Sequence, residues 1–247
     1  LTWLPGETHH KLGDPRLAFS AGRQVARWHR ALSDLEHDFH FSRPGAHDTP
    51  AHMRTLQKAL DQHTHHRLYE SVAPLAQQIL ASWEAWDGVL DAPTLLCHGD
   101  LKISNLRFDE QGEAFALLDL DTMGRMPLDV ELGDAWRSWC NSAAEDSTTA
   151  CFNLELFEAS ASGYLSERSV VASEREPLPA GVERICLELS ARFAADALNE
   201  SYFGWNPSVA PTQGEHNLLR AQGQYTLAQS VFGERGAMQR ILAQARS

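Results

Sequence analysis

The stretch H-G-D-L-K-I-S-N, His98 to Asn105, leaves one short apolar run, T-L-L-C at 94–97, and enters another, N-L-R-F at 105–108. A third run, A-F-A-L-L-D-L at 114–120, contains Asp119 and is followed at once by Asp121, with E-Q-G before it as a turn. Short apolar runs bounded by Gly, Asp and Asn predict two or three short strands joined by polar loops. The loop residues are therefore set at strand ends, where polar side chains converge without having to be buried.

Outward from this insert the hydrophobic period is helical. Asp14 and Pro15 form a helix-start signal, after which Leu17, Ala21, Val25, Trp28, Leu32 and Leu35 recur at spacings of three and four. Thr49 and Pro50 repeat the signal before Met53, Leu56 and Leu60, and Val72, Leu75, Ile79, Trp83 and Trp86 define a third face. After Pro127 come Leu128, Leu132, Trp136 and Trp139, then Phe152, Leu156 and Tyr164, then Val182, Ile185, Leu189 and Phe193, and last Leu218, Tyr225 and Phe232. Loops are expected at 169–179 and 204–214. The fold class is α+β, mostly α, with one small β insert, and residues 1–247 form one domain without an internal repeat or dividing linker.

The chain has 33 acidic and 21 basic side chains, a formal charge of -12, and 43% hydrophobic residues. That sign disfavours a surface that gains affinity by neutralising a phosphate backbone, so nucleic acid is not an expected partner. A single nucleotide with a divalent cation is still compatible, because a few local groups offset its charge. Cys97, Cys140, Cys151 and Cys186 form no C-x-x-C pair and are expected to be buried thiols in a reducing compartment. No apolar run approaches the roughly 20 residues needed to cross a bilayer, so the expectation is a cytoplasmic protein without membrane contact. His63, His65 and His66, like His9 and His10, lack the accompanying ligand spacing of a transition-metal site and are expected on a solvated helix face.

Phosphoryl transfer needs a carboxylate to orient and deprotonate the attacking hydroxyl, and hard oxygen ligands for magnesium ions that bridge the phosphates. Asp100, Asn105 and Asp119 supply that set, and Lys102 offers positive charge to the transferring group. His-Gly-Asp alone is ordinary strand-to-turn punctuation. The full pattern is more specific: D-x-x-x-x-N, then an acidic residue closing the next buried strand. Asp134 is expected to cap or brace, and Trp136 to pack in the core.

The segment from His98 to Asp119 resembles the catalytic and metal-binding loops of the aminoglycoside phosphotransferase and choline kinase superfamily, itself similar to protein kinases. Gly99 stands where protein kinases have Arg, as in the small-molecule kinases. A closer likeness is to the N-acetylhexosamine 1-kinase group. It rests on F-H-F-S-R-P-G-A-H-D-T-P at 39–50, L-L-D-L-D-T-M followed by D-V-E-L-G-D-A-W-R-S, R-F-A-A-D-A-L-N at 192–199, and H-N-L-L-R-A-Q-G-Q from His216. The L-K-I-S between Asp100 and Asn105 departs from that group's pattern.

The resemblance implies ATP as donor, Mg2+ as cofactor, and a small-molecule hydroxyl, that of a sugar or amino sugar, as acceptor. It makes Asp100 the general base with Lys102 beside it, and Asn105 and Asp119 the metal ligands, with His98 among the nucleotide-contacting residues. Asp121 becomes a substrate-side carboxylate, and Arg192, Asp196, His216, Asn217 and Arg220 become candidates for the acceptor pocket. It also implies an N-terminal lobe carrying a glycine-rich loop and a strand lysine. Neither G-x-G-x-x-G nor a V-A-I-K-like strand precedes residue 90, so that lobe is expected upstream, residues 1–13 joining it to the C-terminal lobe seen here. An apolar patch near the catalytic loop would then be covered by the upstream lobe or by self-association. The alternatives are a lobe that kept the loops but lost activity, and a metal-dependent phosphohydrolase; the intact Asp100, Asn105 and Asp119 oppose the first, and the lack of further Gly-Asn-His-Asp clusters opposes the second.

Overall fold

Asp14 accepts a hydrogen bond from the Arg16 amide and Pro15 opens the first turn, so helix α1 runs Pro15–Ala31. The computed structural model describes residues 3–40 and 45–244. Phe41 to Pro44, part of the 39–50 run quoted above, lie outside the described residues. Asp48 caps α2 (Thr49–Gln62) in the same way, and α3 spans Tyr69–Glu84. Four short strands follow: β1 (Thr94–Cys97), β2 (Leu106–Phe108), β3 (Ala114–Leu117) and β4 (Gly124–Pro127). The rest is helical: α4 (Leu128–Trp139), α5 (Leu154–Glu167), α6 (Ala172–Arg175), α7 (Leu178–Asn199) and α8 (Gln213–Gln244). No helix among the described residues is long and apolar enough to cross a membrane.

The strands form two antiparallel ribbons. β1 pairs with β4, Cys97 opposite Gly124, and β2 pairs with β3, Leu106 opposite Leu117. The chain start adds to the second ribbon, because Glu7 and Phe108 exchange backbone hydrogen bonds of 2.8 and 2.9 Å.

Helix α7 is the axis on which α2, α3, α4 and α8 pack, while α1 lies along α5. Its buried residues include Val182, Ile185, Cys186, Leu187, Phe193 and Leu198, which surround it on several sides as a central helix requires. Three carboxylates share that interior, and each is paired, as burial demands. Glu183 accepts 2.6 Å bonds from Arg235 Nε and Nη2 and a 2.9 Å bond from Trp86 Nε1. Glu188 accepts from His47 at 3.0 Å and Thr49 at 2.5 Å. Asp196 belongs to the cleft described below.

Several local expectations are corrected. The deepest face of α1 is Ala18, Ala21, Val25, Ala26 and His29, while Leu17 and Trp28 are half-buried, because α5 approaches closely enough to favour small residues. Leu35 lies beyond the helix and is 39% exposed. Residues 169–179 contain α6 and the start of α7. His63 and His66 sit in the turn between α2 and α3, bonded to Asn199 and Glu200, so they are not a solvated helix face. Cys151 is exposed, unlike the other three cysteines.

Helices α4 and α7 cross where Gly133 meets Gly181. A methyl group on Gly181 would come within 2.0 Å of the Asp129 carbonyl oxygen, and one on Gly133 within 2.6 Å of the Gly181 backbone. Gly181→Ala should therefore destabilise the protein by about 1–3 kcal/mol or more through overpacking. Gly233→Ala, on the exposed side of α8 with no atom within 4 Å of the added carbon, should stabilise it by roughly 0.5–1 kcal/mol through helix propensity. Denaturant midpoints that moved in the same direction for both variants would refute this packing.

Candidate active site

At the end of β1 the backbone must turn sharply, and Gly99 does so at φ 82, in the left-handed region. A Cβ there would also lie 2.5 Å from the Thr122 carbonyl oxygen. The turn is fixed from beneath by Glu131 on α4, whose two carboxylate oxygens accept the amides of His98 and Gly99 at 2.8 and 3.0 Å. Glu131 is buried, as is His29, whose Nε2 is 3.4 Å away. Trp139, one helical face further on, donates its indole N–H to the Leu101 carbonyl at 2.6 Å. Helix α4 thus grips both ends of the H-G-D-L segment.

His98 holds the opposite side. Its Nε2–H donates to the Leu118 carbonyl at 2.7 Å, its Nδ1 accepts the Asp100 amide at 3.3 Å, and Thr122 donates to its carbonyl at 2.8 Å. The Leu118 amide in turn donates to the Asn105 carbonyl at 2.8 Å. Leu118 is therefore clamped between His98 and Asn105, and the next residue, Asp119, is delivered beside Asn105.

The reactive groups follow from that frame. Asn105 Nδ2 donates to the Asp100 carbonyl at 2.8 Å and to Asp100 Oδ2 at 3.3 Å, and Lys102 Nζ donates to the same Oδ2 at 2.8 Å. Asp100 Oδ1 takes no partner among the described residues, and neither does Asn105 Oδ1. Burial would lower the Lys102 pKa, but the hydrogen bond to Asp100 and the charges of Asp100, Asp119 and Asp134 outweigh it and raise it, so the ammonium is protonated near neutral pH. Asp119 adopts left-handed dihedrals, φ 64 and ψ 60, a strained choice for a residue with a side chain. It is exposed, with no hydrogen bond or ion pair among the described residues. A free carboxylate one residue beyond the Leu118–Asn105 backbone bond, together with the unpartnered Asn105 amide oxygen, offers hard oxygen donors of the kind Mg2+ takes.

A cleft of about 2080 Å3 opens over the loop that carries Asp100. Gly99, Asp100, Lys102 and Ser104 form one side of it, and Arg192, Phe193, Tyr202, Phe203 and Arg220 lie among the residues of the other. The second side is organised by Asp196. It accepts the amides of Ser201, Tyr202 and Phe203 at 2.9–3.0 Å and the side chains of Gln213 and Asn217 at 3.1 and 2.9 Å. Asp196 and Asn217 therefore shape the pocket from behind.

The structure separates the expected site residues into groups. Asp100, Lys102 and Asn105 are in mutual contact, with Asp119 adjoining; Arg192 and Arg220 line the cleft. His98 is fully buried with both ring nitrogens engaged, and its ring holds the loop from within. His216 is buried as well, its Nδ1 accepting the Asn206 amide at 3.1 Å and its Nε2 lying 3.3 Å from Asp146. Asp121 is exposed and does not line the cleft. Glu131 and Trp139 were missed. Only the D-V-E-L spacing, which sets an acid in the first turn of α4, hints at the first, and nothing local reveals the second.

A family model described as "Phosphotransferase enzyme family" matches residues 1–156. The chain belongs to this family. Three solved structures similar to this phosphotransferase share its fold. An aminoglycoside phosphotransferase from Alicyclobacillus acidocaldarius matches at 19% identity and TM-score 0.57, covering 98% of this chain and 69% of its own. A microcompartment-associated aminopropanol kinase matches at 19% identity and TM-score 0.52, covering 92% and 65%. A choline kinase from Cryptosporidium parvum matches at 12% identity and TM-score 0.50, covering 98% and 73%. This phosphotransferase thus spans about two thirds to three quarters of their lengths.

Because Gly99 combines positive φ with contact against Thr122, Gly99→Ala should lower stability by more than about 1 kcal/mol. An unchanged denaturant midpoint would show that the turn is not held as described.

Proposed function

We propose that this phosphotransferase moves the γ-phosphoryl group of ATP, with Mg2+, to a hydroxyl of a small molecule, a sugar or amino sugar being the favoured class. The observation that carries the reading is the contact set at the loop: one carboxylate held at Oδ2 by Lys102 and Asn105, its other oxygen open, with Asp119 clamped alongside through Leu118.

In this mechanism the acceptor hydroxyl lies in the cleft against Asp100, whose free Oδ1 orients it and takes its proton as the oxygen attacks phosphorus. The bond from phosphorus to the bridging oxygen breaks, ADP departs, and the phosphate monoester remains on the acceptor. Lys102 and Asn105 fix the Asp100 carboxylate so that its open oxygen points in one direction, and the Lys102 ammonium adds positive charge near the transferring group. Asn105 Oδ1 and Asp119 would hold Mg2+, which when bound neutralises phosphate charge. Tyr202 and Trp205 expose aromatic faces, 69% and 40% exposed, on the cleft loop, suited to the C–H faces of a sugar ring.

Two substitutions in the full-length enzyme test the roles. Asp100→Asn should lower kcat by about 100-fold or more while ATP binding is nearly intact, as loss of a positioned base implies. Near-normal turnover would remove Asp100 from the chemistry. Asp119→Ala should abolish the magnesium-dependent part of nucleotide affinity in calorimetry; an unchanged Mg-ATP affinity would exclude it as a ligand.

A further inference from the structure

Three guanidinium groups on the far side of the cleft are held in place without being fully paired. Arg137 comes from α4, Arg192 from α7 and Arg220 from α8, and all three line the same cleft as Asp100. Arg137 is anchored through Nε and Nη2 on Asp134 Oδ1 at 3.1 and 3.0 Å, which leaves Nη1. Arg220 donates Nη1 to the Gly204 carbonyl at 2.7 Å and to Asn217 Oδ1 at 3.2 Å, which leaves Nε. Arg192 donates no hydrogen bond among the described residues. Its nearest carboxylate, Glu188, is 3.9 Å away and already accepts from His47 and Thr49.

Aromatic rings support two of these groups without using any of their N–H donors. Arg192 lies over Phe203 and Arg220 over Phe193, each 5.5 Å from the ring centroid. A carboxylate sits between two of the open ends, those of Arg137 and Arg220. Glu145 is 3.8 Å from Arg137 Nη1 and 3.8 Å from Arg220 Nε, too far for a hydrogen bond to either. Its backbone is pinned, since the Glu145 and Ser147 carbonyls press on Gly223 of α8 and neighbouring Asp146 meets His216. Its side chain is 44% exposed and free to leave.

A carboxylate drawn to two guanidinium groups without bonding to them marks the position of an anion and leaves the donors unfilled. In a chain of net charge -12 the overall field repels anions, so affinity for one must be local. We infer that Arg137, Arg192 and Arg220 form an anion subsite, and that the acceptor is a hydroxyl compound carrying a carboxylate or phosphate, which displaces Glu145 on binding. The anion-binding half stands independently; only the word acceptor rests on the phosphotransferase reading.

The test is calorimetric titration of the full-length protein with inorganic phosphate at constant ionic strength. Phosphate should bind, and Arg192→Gln and Arg220→Gln should each weaken it about 10-fold, the effect of one charge-assisted hydrogen bond. Glu145→Gln should tighten binding by removing the competing carboxylate. Circular dichroism confirms that each variant is folded, and Arg192→Lys, which keeps the charge, should fall between wild type and Arg192→Gln. No binding, indifference to both arginines, or weaker binding in Glu145→Gln would overturn the subsite.

A matched screen then offers hydroxyl compounds as neutral parents and as carboxylate or phosphate derivatives. The derivatives should be favoured in kcat/KM by about 10-fold or more, and Arg192→Gln should erase the preference. Preference for neutral parents would overturn the acceptor assignment. Phosphate binding that follows the arginines without transfer to any compound would sink the phosphotransferase reading and leave the anion subsite standing.

Discussion

Both oxygens of Glu131 are engaged by two consecutive backbone amides, those of His98 and Gly99. A buried carboxylate requires such partners, and a turn passing through positive φ needs something to hold it; each demand satisfies the other. The consequences extend outward. With His98 fixed, its imidazole reaches Leu118, Leu118 reaches Asn105, and Asn105 reaches Asp100. A strand end, a loop and a second strand end are thereby locked by hydrogen bonds that begin on one helix. The chemistry proposed for Asp100 depends on that rigidity, because a general base is effective only when its free oxygen is held within reach of the proton it removes.

The helical body sets the opposite side of the cleft by similar means. α7 carries Asp196 into the interior, where it collects the amides of Ser201, Tyr202 and Phe203 and curls the following segment toward the catalytic loop. This curl brings Phe203 under Arg192. Glycines at the α4–α7 crossing let the helix that holds the loop and the helix that shapes the pocket approach to backbone contact. Positioning of the two sides is therefore one packing problem, and strain at Gly133 or Gly181 is transmitted to both.

Much of this was legible in the chain. T-L-L-C, N-L-R-F and A-F-A-L-L-D-L announced two or three strands because short apolar runs end on turn residues, and Asp14 with Pro15 and Thr49 with Pro50 announced two helix starts by local chemistry. β4 was not legible: Gly-Arg-Met-Pro has little strand propensity, and it is a strand only because β1 lies beside it. The same limit applies to the site. Asp100, Asn105 and Asp119 stood out because phosphoryl transfer demands those groups at that spacing, whereas Glu131 and Trp139 act through the backbone of residues some thirty positions away, which no local pattern encodes. The burial of the His98 and His216 rings was not legible, because a motif reveals a residue type and conceals which way its ring points. Arg192 and Arg220 look like ordinary helix-surface cations until α7 and α8 bring them to one cleft.

The central claim is that Glu131 acts on phosphoryl transfer solely by placing Asp100. Single-turnover rates for Glu131→Gln, Asp100→Asn and the double variant, measured in the full-length enzyme with ATP and an acceptor found by screening, test it most directly as a double-mutant cycle. Glu131→Gln should slow transfer in the wild-type background and have little further effect once Asp100 is Asn. Losses that simply multiply in the double variant would contradict it, because Glu131 would then contribute by a route that does not pass through Asp100.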